Sequence, residues 1–273
     1  MTVEEIIQIA LEGDAIAFLG AGFSVGAKNF DQNEKFLIGN DLCNKLIKNG
    51  KIDVHDETTQ DIEDLQYIAS KYLESNTKRD LIGLLKTLYT CKEVADHHIT
   101  IADIPWKKIY TTNYDDVMEV ASKRTSRNRN AVETKNKISD IYGTKDAIIH
   151  INGYINTVDE DDLDDFFKLT TKSYYTETLT YSDWAIALHT DIKNARAVVF
   201  IGYSLDYDLE LQKIFACDNT LKDKCIFVDK NPTKRKRLRM EPFGMIYDQG
   251  VEKFSDLVKE IQMNFNVSQK KYI

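Results

Sequence analysis

Six short β-rich runs, most of them continuously apolar, constrain this chain more than anything else in it: Ala15–Leu19, Lys108–Thr112, Ala147–Ile151, Ala197–Ile201, Cys225–Asp229 and Met245–Tyr247. A strand with one wet face alternates polar and apolar residues, whereas a strand covered on both faces does not. These runs therefore read as parallel strands held between helices. The segments between them carry helical spacing: Leu65, Ile68, Ala69 and Tyr72, then Leu81, Leu84, Leu85 and Leu88 within 59–90. Val251, Phe254, Leu257, Val258 and Ile261 mark a last helix. Strands alternating with helices predict an α/β fold with a doubly wound, mainly parallel six-stranded sheet.

Two connections are too long for simple crossovers, residues 20–107 and 152–196. The first reads as mostly helical and predicts a helical insertion subdomain; connections of this size often build over a site. No Gly/Ser linker, repeat or low-complexity tract breaks the chain. We therefore expect a single domain over 1–273, with a core of about 1–26, 105–155 and 195–265. The helical insertion then occupies about 27–104 and a second insertion about 156–194.

Composition sets limits on function. Hydrophobic residues at 42% and charged residues at 29% fit a globular chain and not a disordered one. No apolar stretch approaches the roughly 20 residues of a membrane span, and the start, Met1-Thr2-Val3-Glu4-Glu5, is acidic where a signal peptide is basic. A cytoplasmic protein without membrane contact is expected. Lys plus Arg total 36 against 44 Asp plus Glu, a net charge of −8 that offers nucleic acid no general attraction. The four cysteines, Cys43, Cys91, Cys217 and Cys225, form no C-x-x-C pair. No metal site is expected, and free, buried thiols are.

Polar residues gather where the runs end. Phe18-Leu19-Gly20-Ala21-Gly22-Phe23-Ser24 follows the first. Glycines there permit a sharp turn and let backbone N–H groups approach a phosphate; a tight turn without a ligand would need them equally. Gly20, Gly22 and Gly26 give G-x-G-x-x-x-G, which is not the dehydrogenase fingerprint, and no acid closes a second strand about 20 residues on. Hydride transfer is disfavoured. After the second run come Thr112, Asn113 and Asp115, placed either to line a crevice or to cap a helix. After the third, His150 is a candidate base or a satisfied core residue, followed by Asn152 and Gly153. Gly202, Tyr203 and Ser204 follow the fourth, and Asp229 ends the fifth, where an acid can bind ribose hydroxyls.

In this order the motifs resemble the SIR2-like family of bacterial defence proteins, relatives of the sirtuins. Gly20-Ala21-Gly22-Phe23-Ser24 is similar to the family's GAGxS loop, Thr112-Asn113-Tyr114-Asp115 to its Thr/Asn/Asp motif, and Gly202-Tyr203-Ser204 to a later G-[YF]-S turn. The resemblance spans about residues 14–230. It implies a Rossmann-like fold with an NAD site and, in the defence branch, hydrolysis of NAD+ to nicotinamide and ADP-ribose without a metal. On that reading Asn113 orients water or a ribose hydroxyl, His150 is the base, and Asp115 holds nicotinamide or ribose. Gly20, Ala21, Gly22, Phe23, Ser24, Thr112, Asn152, Gly202, Tyr203, Ser204 and Asp229 bind the rest of NAD+. Two departures stand out. The four-Cys module of sirtuin deacylases is absent, which disfavours deacylation. The family places its histidine directly before Gly, where this chain has Asn152; His150 lies two residues earlier, on the same strand face. The alternatives are a non-catalytic subunit that binds NAD or ADP-ribose or serves assembly, and an NAD-dependent protein deacylase.

Such an activity needs control. The resemblance implies a homo-oligomer or a separate defence partner or activator protein. An acidic run, Asp159–Asp165, and a basic one, Lys234–Arg239, are expected to be solvated faces that can meet across subunits. The basic run lacks interleaved aromatic residues, so direct nucleic-acid binding is not expected.

Overall fold

In the computed structural model the described residues are 1–140, 146–176, 179, 182–203, 205, 209–216 and 220–270. The strands are β1 (Ala15–Leu19), β2 (Lys28–Asn29), β3 (Cys91–Glu93), β4 (Lys108–Thr111), β5 (Asn130–Glu133), β6 (Ala147–His150), β7 (Ala197–Ile201), β8 (Cys225–Val228) and β9 (Met245–Tyr247). Seven of them form one sheet in the order β5-β6-β4-β1-β7-β8-β9, and every ladder in it is parallel. The fold is α/β and doubly wound, as expected, with one strand more than the six predicted. The addition, β5, is a four-residue edge strand that starts in solvent, so it lacks the continuous apolar run that marked the others. β2 and β3, also unpredicted, pair antiparallel in a small separate sheet.

The helical spacing in 59–90 resolves into three helices, Thr59–Glu63, Leu65–Ser75 and Lys78–Tyr89. The breaks are written in capping residues. Thr58 and Thr77 each form a capping box with an Asp three residues on, and Asp64 caps the middle helix through the Tyr67 N–H. Leu46, Ile68, Tyr72, Leu81, Leu85 and Leu88 of the insertion share one buried cluster with Ala17 and Leu19 of β1 and Ile201 of β7. The insertion thus joins the core on one side of the sheet, where the helices Val3–Leu11 and Gly250–Lys270 pack against the strands. The opposite face is aromatic. Phe18 lies 5.3 Å from Phe200, which stacks on Phe227 at 4.6 Å, under the helix Asp183–Asn194.

Register decides which side chains share the site. Glu133 pairs with His150, His150 with Thr111, Thr111 with Leu19, Leu19 with Ile201 and Ile201 with Val228. Partners in a parallel ladder point to one face, so this row runs across the carboxyl end of the sheet, polar on the β4/β6 side and apolar on the β7/β8 side. From β1 the chain passes to β4, out to the edge strand β5 and back to β6 between them, then returns to begin the other half at β7. The direction of winding reverses between β1 and β7, the place where open α/β sheets bind ligands.

Both charged runs are partly neutralised within the chain. Asp162 pairs with Lys135 at 2.8 Å, and Asp164 with Lys78 and Lys172 at 3.0 and 2.6 Å. In the basic run Lys236 pairs with Asp229 and Arg237 with Asp248. Their charges are therefore less free to meet across subunits than the sequence suggested. No helix among the described residues is long and apolar enough to cross a membrane.

Candidate active site

The β1/β7 side of the crevice is built from backbone. After β1 the chain turns through one short helical turn, Ala21–Ser24. The Gly20 N–H donates to Ile201 O at 3.0 Å, the Gly22 N–H to Gly202 O at 2.9 Å and the Phe23 N–H to Gly20 O at 2.9 Å. Gly202 has φ +64°, and a Cβ there would lie 2.2 Å from the Phe23 nitrogen. Only glycine permits both that φ and that approach. Of the amides expected to hold a phosphate, that of Gly22 thus joins the two turns to each other, and that of Phe23 closes the first turn on itself. The lip of the turn is Ala21, exposed, and Gly22, half-buried. Phe23 and Tyr203 place their rings in the core, Phe23 against His98 and Tyr203 against Phe18. Ser204 lies outside the described residues.

Two histidines pin the turn from below. On the helix Asp96–Asp103, His98 accepts the Ala95 N–H at Nδ1, so its Nε2–H donates to Phe23 O at 2.8 Å. The His97 ring reaches Val25 O through Nε2 at 3.2 Å. Burial, with His97 adjacent, lowers His98 to about 4. An adjacent His-His pair facing a glycine turn was not singled out from the sequence.

The β4/β6 side is built from side chains. Asn113 donates through Nδ2 to Gly20 O at 3.0 Å and to Ser24 Oγ at 3.2 Å. Its backbone N–H donates to Thr111 Oγ1, and its carbonyl accepts from His150 Nδ1, both at 3.0 Å. Oδ1 makes no hydrogen bond among the described residues and is not sealed from solvent. Ser24 donates its hydroxyl to Asp115 Oδ2 at 2.7 Å, and Asp115 Oδ1 accepts the Val117 N–H at the start of the helix Val117–Ser122. Asp115 therefore does meet the Asn113 crevice, and it also serves the helix start; both of its oxygens are engaged. Burial pushes it up to about 7, although the Ser24 and Val117 bonds pull the other way. Thr112 is half-buried and gives its N–H to Leu19 O.

His150 is buried completely, with Nδ1 on Asn113 O and Nε2 2.7 Å from Glu119 Oε1. Neither ring nitrogen is open to a ligand, so the geometry does not present His150 as a base. Burial pulls its pKa down, but the charge and hydrogen bond of Glu119 outweigh it and the net shift is upward. Glu119 was missed in the sequence; its only signal is a charge within the apolar stretch Val117-Met118-Glu119-Val120-Ala121. Asn152, half-buried beyond the end of β6, makes no side-chain hydrogen bond among the described residues. Asp229 stands apart: β7 and β1 separate β8 from β4, and its carboxylate holds Lys236 and the Lys230 N–H. Among the described residues no cluster of His, Cys, Asp or Glu is arranged to hold a metal ion.

Known proteins decide what this crevice resembles. A family model described as the SIR2-like domain matches residues 107–242, from β4 to the helix before β9. Over that stretch the chain is similar to a SIR2-like domain. A curated relative, NAD(+) hydrolase ThsA of Acinetobacter baumannii, is 25% identical over 233 residues, covering 82% of the chain and 44% of the relative. The chain thus spans less than half the length of that relative. Among solved structures, a Sir2 homologue carrying a histidine-to-asparagine substitution, in complex with ADP-ribose, superposes with TM-score 0.55 at 14% identity, over 97% of the chain and 98% of its own. A serine-to-alanine variant of a Sir2 homologue with ADP-ribose gives TM-score 0.53 at 13% identity, with the same coverage. At such identities the likeness is one of fold.

Proposed function

We propose that this chain cleaves NAD+ to nicotinamide and ADP-ribose. The observation that carries the reading is Asn113: among the described residues its hydrogen-bonding groups are all engaged except Oδ1, and its amide is held against Gly20 and Ser24 at the carboxyl end of β1, the strand that flanks the β1/β7 switch point. When the nicotinamide–ribose bond breaks, its electron pair passes to the ring nitrogen and neutralises it, so the leaving group needs no proton. Positive character develops on the ribose carbon. A water then bonds to that carbon and releases its proton to bulk solvent. A fixed acceptor can orient that water or hold a ribose hydroxyl before the reaction, with no reorganisation when charge develops. The lip formed by Ala21 and Gly22 is the place for the pyrophosphate. The similarity to a SIR2-like domain and the relative named as an NAD(+) hydrolase support this reading. A role as a defence effector, controlled by self-association or by a separate activator protein, belongs to the same reading through the resemblance to the defence branch.

One observation favours binding without turnover. His150 offers no open nitrogen, and Asn152 stands directly before Gly153, where a base would be expected. Incubating purified protein with NAD+ separates the readings. Free nicotinamide with ADP-ribose is the expected result. An acylated ADP-ribose formed only with an acyl-peptide would identify a deacylase, and binding without product would leave a sensor.

A further inference from the structure

We propose that Glu119 and His150 form a buried positioning pair that fixes Asn113, and that His150 is not the base of the reaction. The inference rests on the cleavage reading for its catalytic consequence and on geometry for the pair itself. A carbonyl can only accept, so the contact with Asn113 O requires a proton on His150 Nδ1. With Nδ1 protonated, Nε2 either accepts a proton from Glu119 or donates one to it at 2.7 Å. In neither state does the ring have a lone pair free for water. Glu119 is itself sealed in: its Oε2 has no hydrogen-bond partner among the described residues, so Nε2 is the one polar contact of that carboxyl group among them.

What the pair does is visible at Asn113. Thr111 takes its N–H, Gly20 O and Ser24 Oγ take its amide protons, and His150 takes its carbonyl. Without His150, the carbonyl of Asn113 loses its hydrogen bond to β6. The Oδ1 direction would then be held from the glycine side alone. Tyr154 closes over the imidazole with ring centroids 4.4 Å apart, and Asn156 joins the Tyr154 hydroxyl to Asp116. The ring is packed on its face as well as bonded at both edges, which suits a strut and obstructs a proton shuttle.

The test uses isosteres. The amide nitrogen of asparagine can stand where Nδ1 stands, while alanine supplies nothing. With Glu119→Gln present to avoid an unpaired buried carboxylate, Glu119→Gln/His150→Asn should keep nicotinamide release within about 10-fold of wild type. His150→Ala should lose about 10²-fold in kcat with little change in KM, as expected when a positioned group is misplaced. Equal losses in both variants, with the acid limb of the pH–rate profile abolished, would make His150 the base and overturn the proposal. A second measurement needs no turnover. In wild-type protein labelled at histidine, nitrogen-15 NMR should show a slowly exchanging proton on His150 Nδ1, and Glu119→Gln should leave that proton in place. A bare Nδ1 overturns the pair even if NAD+ is cleaved. If wild type releases no nicotinamide, the cleavage reading fails, and the NMR result still decides the pair.

Discussion

The two sides of the crevice are held by different means. On the β1/β7 side backbone meets backbone, through Gly20, Gly22 and Gly202, with no side chain between the turns. On the β4/β6 side a chain of side chains, Glu119, His150, Asn113, Ser24 and Asp115, holds the geometry. The first arrangement is all-or-none: a methyl group does not fit, and the bonds between the two turns are main chain to main chain. The second is adjustable: each link can be removed singly, and several carry a proton whose presence depends on the neighbours.

The largest effect follows on the backbone side. Gly202→Ala would place its Cβ 2.2 Å from the Phe23 nitrogen and 2.3 Å from the Gly22 carbonyl carbon, at φ +64°. Neither atom can swing aside, because both belong to main chain bonded across the crevice. We expect a loss of about 4 kcal/mol or more, in the range reserved for strain and overpacking, read as a collapse of the denaturation midpoint. A normal midpoint would mean that the two turns are not in contact.

Asn113→Ala comes next and acts on the other side. Nicotinamide release should fall by about 10²-fold or more, since the open Oδ1 is lost. Stability should fall by only about 1–3 kcal/mol for the hydrogen bonds to Gly20 O and Ser24 Oγ. The contrast sharpens the comparison: Gly202 is needed for folding, Asn113 for chemistry. Unchanged turnover in a folded Asn113→Ala protein removes Asn113 from the reaction.

The same contrast explains what was legible in the sequence. Glycine turns are local, so Gly20-Ala21-Gly22 and Gly202 could be read from a few residues after an apolar run. Strands covered on both faces gave their own pattern, and five central or near-central ones were found along with β9. The edge strand β5, partly wet, left no such pattern. The side-chain half depends on partners far apart in the chain, Ser24 with Asp115 and Glu119 with His150. Each residue type was visible, but which of them touch is settled by the register of β4 against β6 and by the packing of the helix Val117–Ser122. His150 was therefore placed at the right strand end and given a role that its two engaged nitrogens do not suit.

The smallest effect is the most diagnostic, because each half has a titrating group whose linkage runs opposite to the other's. His98 supports the glycine turn and is lowered from 6.5 to about 4. Between those values the unfolded chain holds the extra proton, so this contribution is complete above about 6.5 and is lost as pH falls toward 4. Asp115 anchors Ser24 and is raised from 3.8 to about 7. There the native chain holds the extra proton, so its contribution is complete below about 3.8 and is lost as pH rises toward 7. Over the shared window the two slopes oppose each other, each about 1.4 kcal/mol per pH unit. Between pH 4.5 and 6.5 these two contributions should nearly cancel in the wild-type protein. Asp115→Asn, which keeps an acceptor for the Val117 N–H, should uncover a rise in stability with pH. His98→Asn, which keeps an acceptor for the Ala95 N–H, should uncover a fall. Denaturant midpoints measured at several pH values on the three proteins read both slopes. If both variants titrate in parallel with wild type, the two groups do not carry opposite linkages, and the titrating part of the comparison fails.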